Sequence, residues 1–386
     1  MVGTPSARRS QPEGVTTTRR SRSIPNSHRA VGDTRQRMIR SKQTRTPAPS
    51  FETYSETFIN FAHQQRATDT QIESCLRYAR PLLNRGLPPV FDIDHLCHLV
   101  GYENDYLLGA AYRPEKYYRT FEIEKRSGGV RQISEPLPGL KEIQNWLYVE
   151  VLSRVPVSEC AKAFVAGRSI KDNALLHRKQ EQVLSLDLKD FFPSIARFRV
   201  FGLFRSFGYS KVVTNILSRL CTLNNALPQG APTSPAISNL IAARLDRRLL
   251  GLARKLNLRY SRYADDLTFS GEFDSGWLVM SVRAIALDEG FQLNEGKTRL
   301  MRRHQRQEVT GVVVNERLNA RRELRRELRQ LTYYIDKYGV EGHLNHIGEL
   351  RAGFISHCLG LCSHVLHLSP GDIEARKLKD TLLAGS

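Results

Sequence analysis

From Phe51 onward apolar residues recur with regular periods, whereas the fifty residues before it contain no aromatic residue and no Leu. Ile72, Leu76 and Ala79 fall at helical spacing, Thr70 and Glu73 are placed as a capping box, and Pro81 is expected to interrupt the helix. Tyr118 to Pro136, YRTFEIEKRSGGVRQISEP, alternates Phe121 and Ile123 with charges, turns at Ser-Gly-Gly and returns through Val130 and Ile133, the pattern of a β-hairpin. Leu140 to Val151 is again apolar at helical spacing. In VLSLDLKDFFPSI, residues 183–195, Leu184, Leu186 and Leu188 share one face of a strand while Ser185 and Asp187 point the other way. In RYSRYADDLTFSG, residues 259–271, two runs rich in Tyr, Leu, Thr and Phe flank Ala264-Asp265-Asp266, which predicts a tight hairpin with two carboxylates at its tip. Residues 319–338 predict a helix with a stripe of Leu324, Leu328, Leu331, Ile335 and Tyr338, and with Arg321, Arg322, Arg325, Arg326 and Arg329 largely elsewhere.

Composition narrows the class of partner. The chain has 386 residues, enough for two or three domains, and carries 58 Lys and Arg against 39 Asp and Glu, a net charge of +19. Such an excess points to a polyanion, either nucleic acid or an acidic membrane surface. Residues 1–50 hold eleven Lys or Arg against only Glu13 and Asp33, in a context rich in Ser, Thr, Pro and Gly; they are expected to form a disordered basic arm able to contact phosphates weakly, or a solvated tail without specific role. With 40% hydrophobic residues the remainder can build an ordinary core. No apolar run of about 18 residues and no signal-type h-region occurs, so neither a spanning helix nor membrane contact is expected. Six cysteines in so long a chain make no disulfide scaffold, and a reducing cytoplasm fits them.

The chemistry concentrates in the carboxylates. Adjacent acids repel, and burying Asp265 beside Asp266 costs several kcal/mol unless a cation pairs with them. With Asp187 displayed at the open end of its strand, three carboxylates can converge on hard, oxygen-loving cations. Mg²⁺ takes one or two carboxylates plus substrate phosphates, and two such ions stabilise both the attacking and the leaving oxygen of phosphoryl transfer.

YADD at 263–266, with SLDLKDFF upstream, resembles the active site of a reverse transcriptase. LPQGAPTSP at 227–235 resembles the nucleotide-pocket loop of that family, EGFQLNEGKT at 289–298 its lysine motif, KRSGGVRQISEP at 125–136 its fingers hairpin, and AFVAGRSIKDNALLH at 163–177 the segment before the first palm strand. The match runs in order from about Tyr118 to Asn315. DNALLH, with Asn173, Ala174 and His177, and the later Val309-Thr310-Gly311 resemble elements of the retron group, and the lack of a maturase, endonuclease or RNase H region after them is expected to set the chain apart from group II intron and retroviral types.

The resemblance implies an α+β right-hand polymerase. A basic arm (1–50) would precede N-terminal helices and fingers (51–186), a palm whose antiparallel sheet carries YADD, with an interleaved fingers segment (187–314), and a helical, RNA-binding thumb (315–386). It implies that Asp187, Asp265 and Asp266, with the main chain at Leu188, hold two Mg²⁺ ions. Lys297 would neutralise or protonate leaving pyrophosphate, and Arg131 and Lys125 would grip the triphosphate. Phe192 would lie under the sugar and select dNTPs, and Gln229 and Gly230 would line the nucleotide pocket. Asn173, His177, Val309, Thr310 and Gly311 would serve recognition of a cognate non-coding RNA, His177 in a structural or an RNA-contacting role. Arg322, Arg325 and Arg329 would touch a duplex backbone. The function implied is copying part of that RNA into single-stranded DNA from an RNA 2′-hydroxyl, in antiphage defence beside an effector protein encoded nearby. The alternatives are a group II-like or abortive-infection reverse transcriptase, and a catalytically idle RNA-binding scaffold. His357, Cys358, Cys362, His364 and His367 suggest zinc, but no Cys-x-x-Cys partners them, and the segment reads equally as a packed thumb helix; Cys221 reads as core.

Overall fold

A computed structural model describes residues 50–124, 128–347 and 353–384. The basic arm up to residue 49 and Lys125 lie outside the described residues. Among the described residues four helices come first: α1 (Phe51–Gln64), α2 (Asp69–Leu83), α3 (Ile93–Val100) and α4 (Asn104–Tyr112). The cap of α2 differs from expectation. Thr68 and Gln71, not Thr70 and Glu73, form the capping box, and the helix continues through Pro81 to Leu83. Pro81 stands in the last turn, so the helix forgoes one intrahelical amide bond there and ends two residues later.

The hairpin follows as β1 (Tyr118–Glu124) and β2 (Val130–Pro136), in register from Tyr118 opposite Pro136 to Glu124 opposite Val130. Phe121, Ile123 and Val130 are exposed, so this hairpin projects from the body instead of packing into it. Then come α5 (Pro138–Glu150), α6 (Ile170–Leu176), β3 (Gln182–Asp187), α7 (Arg197–Phe207), α8 (Lys211–Leu220), α9 (Ser234–Ile241) and α10 (Ala243–Lys255). They are followed by β4 (Arg259–Tyr263), β5 (Asp266–Gly271), α11 (Ser275–Asp288) and β6 (Arg299–Arg302). The central sheet is antiparallel, in the order β4-β5-β3-β6. Because side chains alternate across a strand, β3 serves two cores. Leu184 and Leu186 join the cluster formed with α2 to α5 and α7 to α11, while Val183 joins a second cluster with α6 and the C-terminal elements.

That second cluster is built on a small antiparallel sheet, β7 (Glu308–Val309), β8 (Val312–Val313) and β9 (Asn319–Ala320), and on α12 (Arg322–Ile347), α13 (Phe354–Leu368) and α14 (Ile373–Ala384). The expected helix over 319–338 therefore starts later, after a strand, and runs further, through a break at Gly339, whose φ of 72° is left-handed. Leu328 and Ile335 of the stripe are buried, but Tyr338 is exposed. Cys358 and Cys362 are fully buried on α13, and Cys221 is fully buried in the first cluster. No described helix is long and apolar enough to cross a membrane.

Candidate active site

β4 and β5 are joined by two residues only, since Tyr263 pairs with Asp266. Such a turn needs a left-handed residue, and Ala264 takes that place with φ 57°. Both carbonyls of the turn are held. Arg262 Nη1 donates to the Ala264 oxygen at 3.1 Å, and the Leu188 amide donates to the Asp265 oxygen at 2.9 Å. The register of β3 on β5 then sets Asp187 opposite Asp266, so all three acids meet at one end of the sheet.

Beyond Asp187 the chain leaves the sheet. The Asn294 amide donates to the Asp187 carbonyl at 2.7 Å and the Lys189 amide to Gln292 at 2.8 Å, which lays the 289–298 segment along the end of β3. A short turn at Glu295–Lys297 delivers Lys297, whose Nζ stands 2.8 Å from Asp187 Oδ1. This ion pair raises the Lys297 pKa. Burial, followed by the charges of Asp265 and Asp187, pushes the Asp266 carboxyl up to about 7. Burial foremost also raises Asp265, against the opposing charges of Lys297 and Arg131. Arg131, from β2, is thus near enough to favour the charged form of Asp265.

These residues fit a hard divalent cation. Asp265 and Asp266 are desolvated and mutually repulsive, and Lys297 is hydrogen-bonded to Asp187 alone of the three. Among the described residues no three His, Cys, Asp or Glu side chains close around a single point, and Asp187 is turned toward Lys297. A Mg²⁺ ion does not need such a closed cage, because it completes its shell with water and substrate phosphates. The Leu188 amide is committed to Asp265, which leaves its carbonyl as the main-chain group that could face an ion.

The β1–β2 hairpin meets the loop after α8 at Gln229 and Gly230. The Ser134 amide of β2 donates to the Gln229 carbonyl at 2.8 Å. Gly230 has φ 130°, and a Cβ there would stand 2.8 Å from the Ser134 oxygen. Only glycine admits both the conformation and the approach.

Phe191 and Phe192 lie on a turn beyond the strand, with their ring centroids 5.6 Å apart. The strand ends at Asp187, Asp190 is left-handed with φ 47°, and a turn closed by the Ser194 amide on Asp190 at 2.7 Å carries both rings. Phe191 is buried against Phe291, and Phe192 stays half-buried.

The expected RNA-recognition residues come together elsewhere. Thr310 and Gly311, with φ 47° and 83°, form the turn between β7 and β8. Asn173 Nδ2 reaches Thr310 Oγ1 at 3.4 Å, and Asn173 Oδ1 accepts from Ser261 Oγ at 2.6 Å. Ser261 has thereby spent its only proton, so at 2.8 Å it accepts from His177 Nε2, and His177 Nδ1 accepts from Ser270 Oγ at 2.7 Å. Burial pushes the His177 pKa down to about 3, which keeps this neutral tautomer. Asn173, His177 and Val309 are buried, so their side chains are not placed to touch RNA; Asn173 and His177 form a polar chain behind the YADD hairpin, and Val309 joins the second hydrophobic cluster. Of the arginines on α12, Arg325 pairs with Asp372 at 3.2 Å and Arg329 with Glu374 at 3.7 Å, while Arg322, Arg326 and Arg329 line a surface groove with Tyr333 and Tyr334.

Sequence reasoning missed the buried pair behind the dyad. Arg262 and Asp246 have no solvent exposure. The guanidinium donates through Nε and Nη2 to the two Asp246 oxygens, both at 2.8 Å, and through Nη1 to Asn239 Oδ1 at 3.0 Å as well as to Ala264. Tyr260 adds its hydroxyl to Asp246 at 3.0 Å. The signal was available: Arg262 shares a strand face with Tyr260, and an arginine on a core face requires a buried acid.

Comparison with known proteins agrees with this geometry. A family model described as reverse transcriptase (RNA-dependent DNA polymerase) matches residues 123–314. The retron Ec86 reverse transcriptase of Escherichia coli is 34% identical over 261 residues, covering 66% of this chain and 81% of that protein. The chain belongs to the retron reverse transcriptases. Two retron reverse transcriptases of Myxococcus xanthus are more alike in identity but less covered. Mx65 is 41% identical over 289 residues, 68% of this chain and 65% of its own length; Mx162 is 41% identical over 229 residues, 52% and 47%. The chain thus spans between about half and two-thirds of the length of these two relatives.

Two measurements test the site. Gly230→Ala should push β2 away from the pocket loop and lower kcat/KM for nucleotide incorporation at least about tenfold, with a melting loss of only a few degrees; an unchanged kcat/KM would remove the contact from the pocket. The second concerns Asp266. A carboxyl raised to about 7 in the folded chain binds protons more tightly than in the unfolded chain, so its contribution to stability falls as pH rises from about 4 to about 7. His177, lowered to about 3, acts oppositely, losing its contribution as pH falls below about 6.5. The two are separated by comparing variants. In chelator, Asp266→Asn should melt near wild type at about pH 5 and a few degrees above it at about pH 8. Millimolar Mg²⁺ should narrow the gap by raising wild type alone. A gap independent of pH would contradict the assignment.

Proposed function

We propose that the protein is an RNA-directed DNA polymerase that copies part of a cognate structured RNA into single-stranded DNA. The observation that carries this reading is the meeting of Asp187, Asp265, Asp266 and Lys297 at one sheet end, faced by Arg131 from a hairpin hydrogen-bonded to the Gln229-Gly230 loop. Asp265 and Asp266, with Asp187 once Lys297 yields it, would hold two Mg²⁺ ions beside the Leu188 carbonyl. Such ions, when bound, stabilise the attacking primer oxygen and the leaving oxygen of the nucleotide. The chain's own groups position the reactants. Arg131 draws the triphosphate toward the dyad, and Lys297, released from Asp187 to the pyrophosphate side, offers charge or a proton to the leaving group. Phe192 lies under the sugar, where a ring would clash with a ribose 2′-hydroxyl. Catalysis of this kind rests on placement and charge.

The finer reading follows the retron relatives. Synthesis would start from an RNA 2′-hydroxyl and give a branched RNA–DNA hybrid, in an antiphage system with an effector protein. The groove of Arg322, Arg326, Arg329, Tyr333 and Tyr334 supports nucleic-acid contact by the thumb, since arginine meets phosphate and tyrosine stacks on bases. The burial of Asn173, His177 and Val309 moves their contribution inward: the α6 chain and the Thr310-Gly311 turn would pass the seating of RNA to the hairpin that bears the dyad.

Primer extension on an RNA template tests the central claim. Asp187→Ala and Asp265→Ala should each reduce Mg²⁺-dependent DNA synthesis by at least about a thousandfold; the melting temperature should hold or rise in Asp265→Ala, which removes a repelling, desolvated charge, whereas Asp187→Ala also takes from Lys297 its partner and should melt somewhat lower. Near-normal extension by either variant would refute the reading.

A further inference from the structure

Phe164 is a residue that packing alone does not explain. Its ring is 49% exposed, so it gains little from burial, yet its backbone is left-handed with φ 59°. A bulky residue in that region is strained, and such strain persists only where the surroundings enforce it. They do so here. The chain just before Phe164 runs along the free edge of β4: the Arg262 amide donates to Cys160 at 2.8 Å, and the Lys162 amide donates to Arg262 at 2.7 Å. Arg168 Nη1 donates to the Ala161 carbonyl at 2.6 Å. Asn239 Nδ2 then donates to the Ala163 carbonyl at 2.9 Å, while its own oxygen is gripped by the buried Arg262. The same guanidinium that holds the YADD turn therefore fixes the peptide that carries Phe164.

The fixed ring lies beside Phe192, the residue proposed to lie under the sugar. Its centroid is 6.3 Å from that of Phe192, with the planes inclined at 44°, so the two rings make an open corner. Phe192 is half-buried and follows Asp187 by five residues on a short turn. Phe164 is the outer and more exposed wall. An apolar ring held rigidly beside the sugar position offers a face to a nucleoside at little entropic cost, because its backbone is already ordered.

We infer that Phe164 is a nucleoside-contacting residue: with Phe192 it forms a two-ring wall against which the incoming deoxynucleotide packs, and it sets affinity for that nucleotide. The inference rests on the proposed polymerase function and adds a second ring to its pocket.

Glycine separates function from stability at this position, because it adopts φ 59° without strain. Phe164→Gly and Phe164→Leu are compared with wild type in single-nucleotide incorporation on an artificial RNA template and DNA primer with Mg²⁺. Phe164→Gly should raise KM for the dNTP at least about tenfold with kcat within about threefold, and its melting temperature should equal or exceed that of wild type. Phe164→Leu, which keeps apolar area, should fall between. A KM within about twofold of wild type in Phe164→Gly, or a melting loss of many degrees, would overturn the assignment. Binding gives the comparison without turnover. A thermal-shift titration of dGTP and Mg²⁺ onto the protein–primer–template complex should need about tenfold more dGTP for Phe164→Gly, and equal titrations would also overturn it. Wild-type protein that binds dGTP but extends no primer would instead refute the polymerase reading and leave the binding comparison to decide Phe164.

Discussion

A guanidinium removed from water is tolerated only where its donors are met, and Arg262 satisfies that condition by gathering the parts of the site around itself. It takes both oxygens of Asp246 on α10, the side chain of Asn239 on α9, and the carbonyl of Ala264 in the turn that carries the dyad. Breaking a pair of this kind by removing one partner costs about 3–5 kcal/mol, because the other charge is left buried alone. Two helices behind the sheet, the strained turn at its end and the Phe164 peptide at its edge are thereby placed relative to one another by one side chain.

That rigidity bears on the acids. Asp265 and Asp266 lie where burial raises their pKa, beside Asp187, with Lys297 bonded to only one of the three. Left free, such a turn would relax to separate the charges. Ala264 instead keeps a conformation that favours glycine, with both turn carbonyls tied down. The polar chain from Thr310 through Asn173 and Ser261 to His177 and Ser270 braces the same two strands from behind. A site that repels itself when empty, and is prevented from relaxing, is suited to cations and triphosphates.

Much of this was legible in the sequence where local pattern and chemistry coincide. The alternation around Asp187, the tight hairpin around Ala264-Asp265-Asp266 and the strands over 118–124 and 130–136 follow local periods, although only Asp265 of the two acids lies in the turn and Asp266 opens β5, and the register brought Asp187 to Asp266 as the motifs implied. What stayed hidden depends on distant partners. Nothing local distinguishes Thr68 from Thr70 as a cap. The helix over 319–338 gave no sign of a strand before it. The burial of Asn173 and His177 follows from serines more than eighty residues away, so residues read as RNA contacts proved to be internal. Arg262 was passed over because arginine is ordinarily a surface residue.

The buried pair positions the turn that bears Asp265 and Asp266 and does not merely hold the fold. The paired substitution Arg262→Met with Asp246→Leu tests it, since replacing both charges by apolar side chains of similar volume is often neutral or stabilising, unlike removing one. Steady-state nucleotide incorporation and thermal melting are measured on the same preparation. The account predicts a melting temperature within a few degrees of wild type and a kcat reduced at least about tenfold, because Ala264 and Asn239 have lost their donor. A well-folded double variant with wild-type kcat would contradict it.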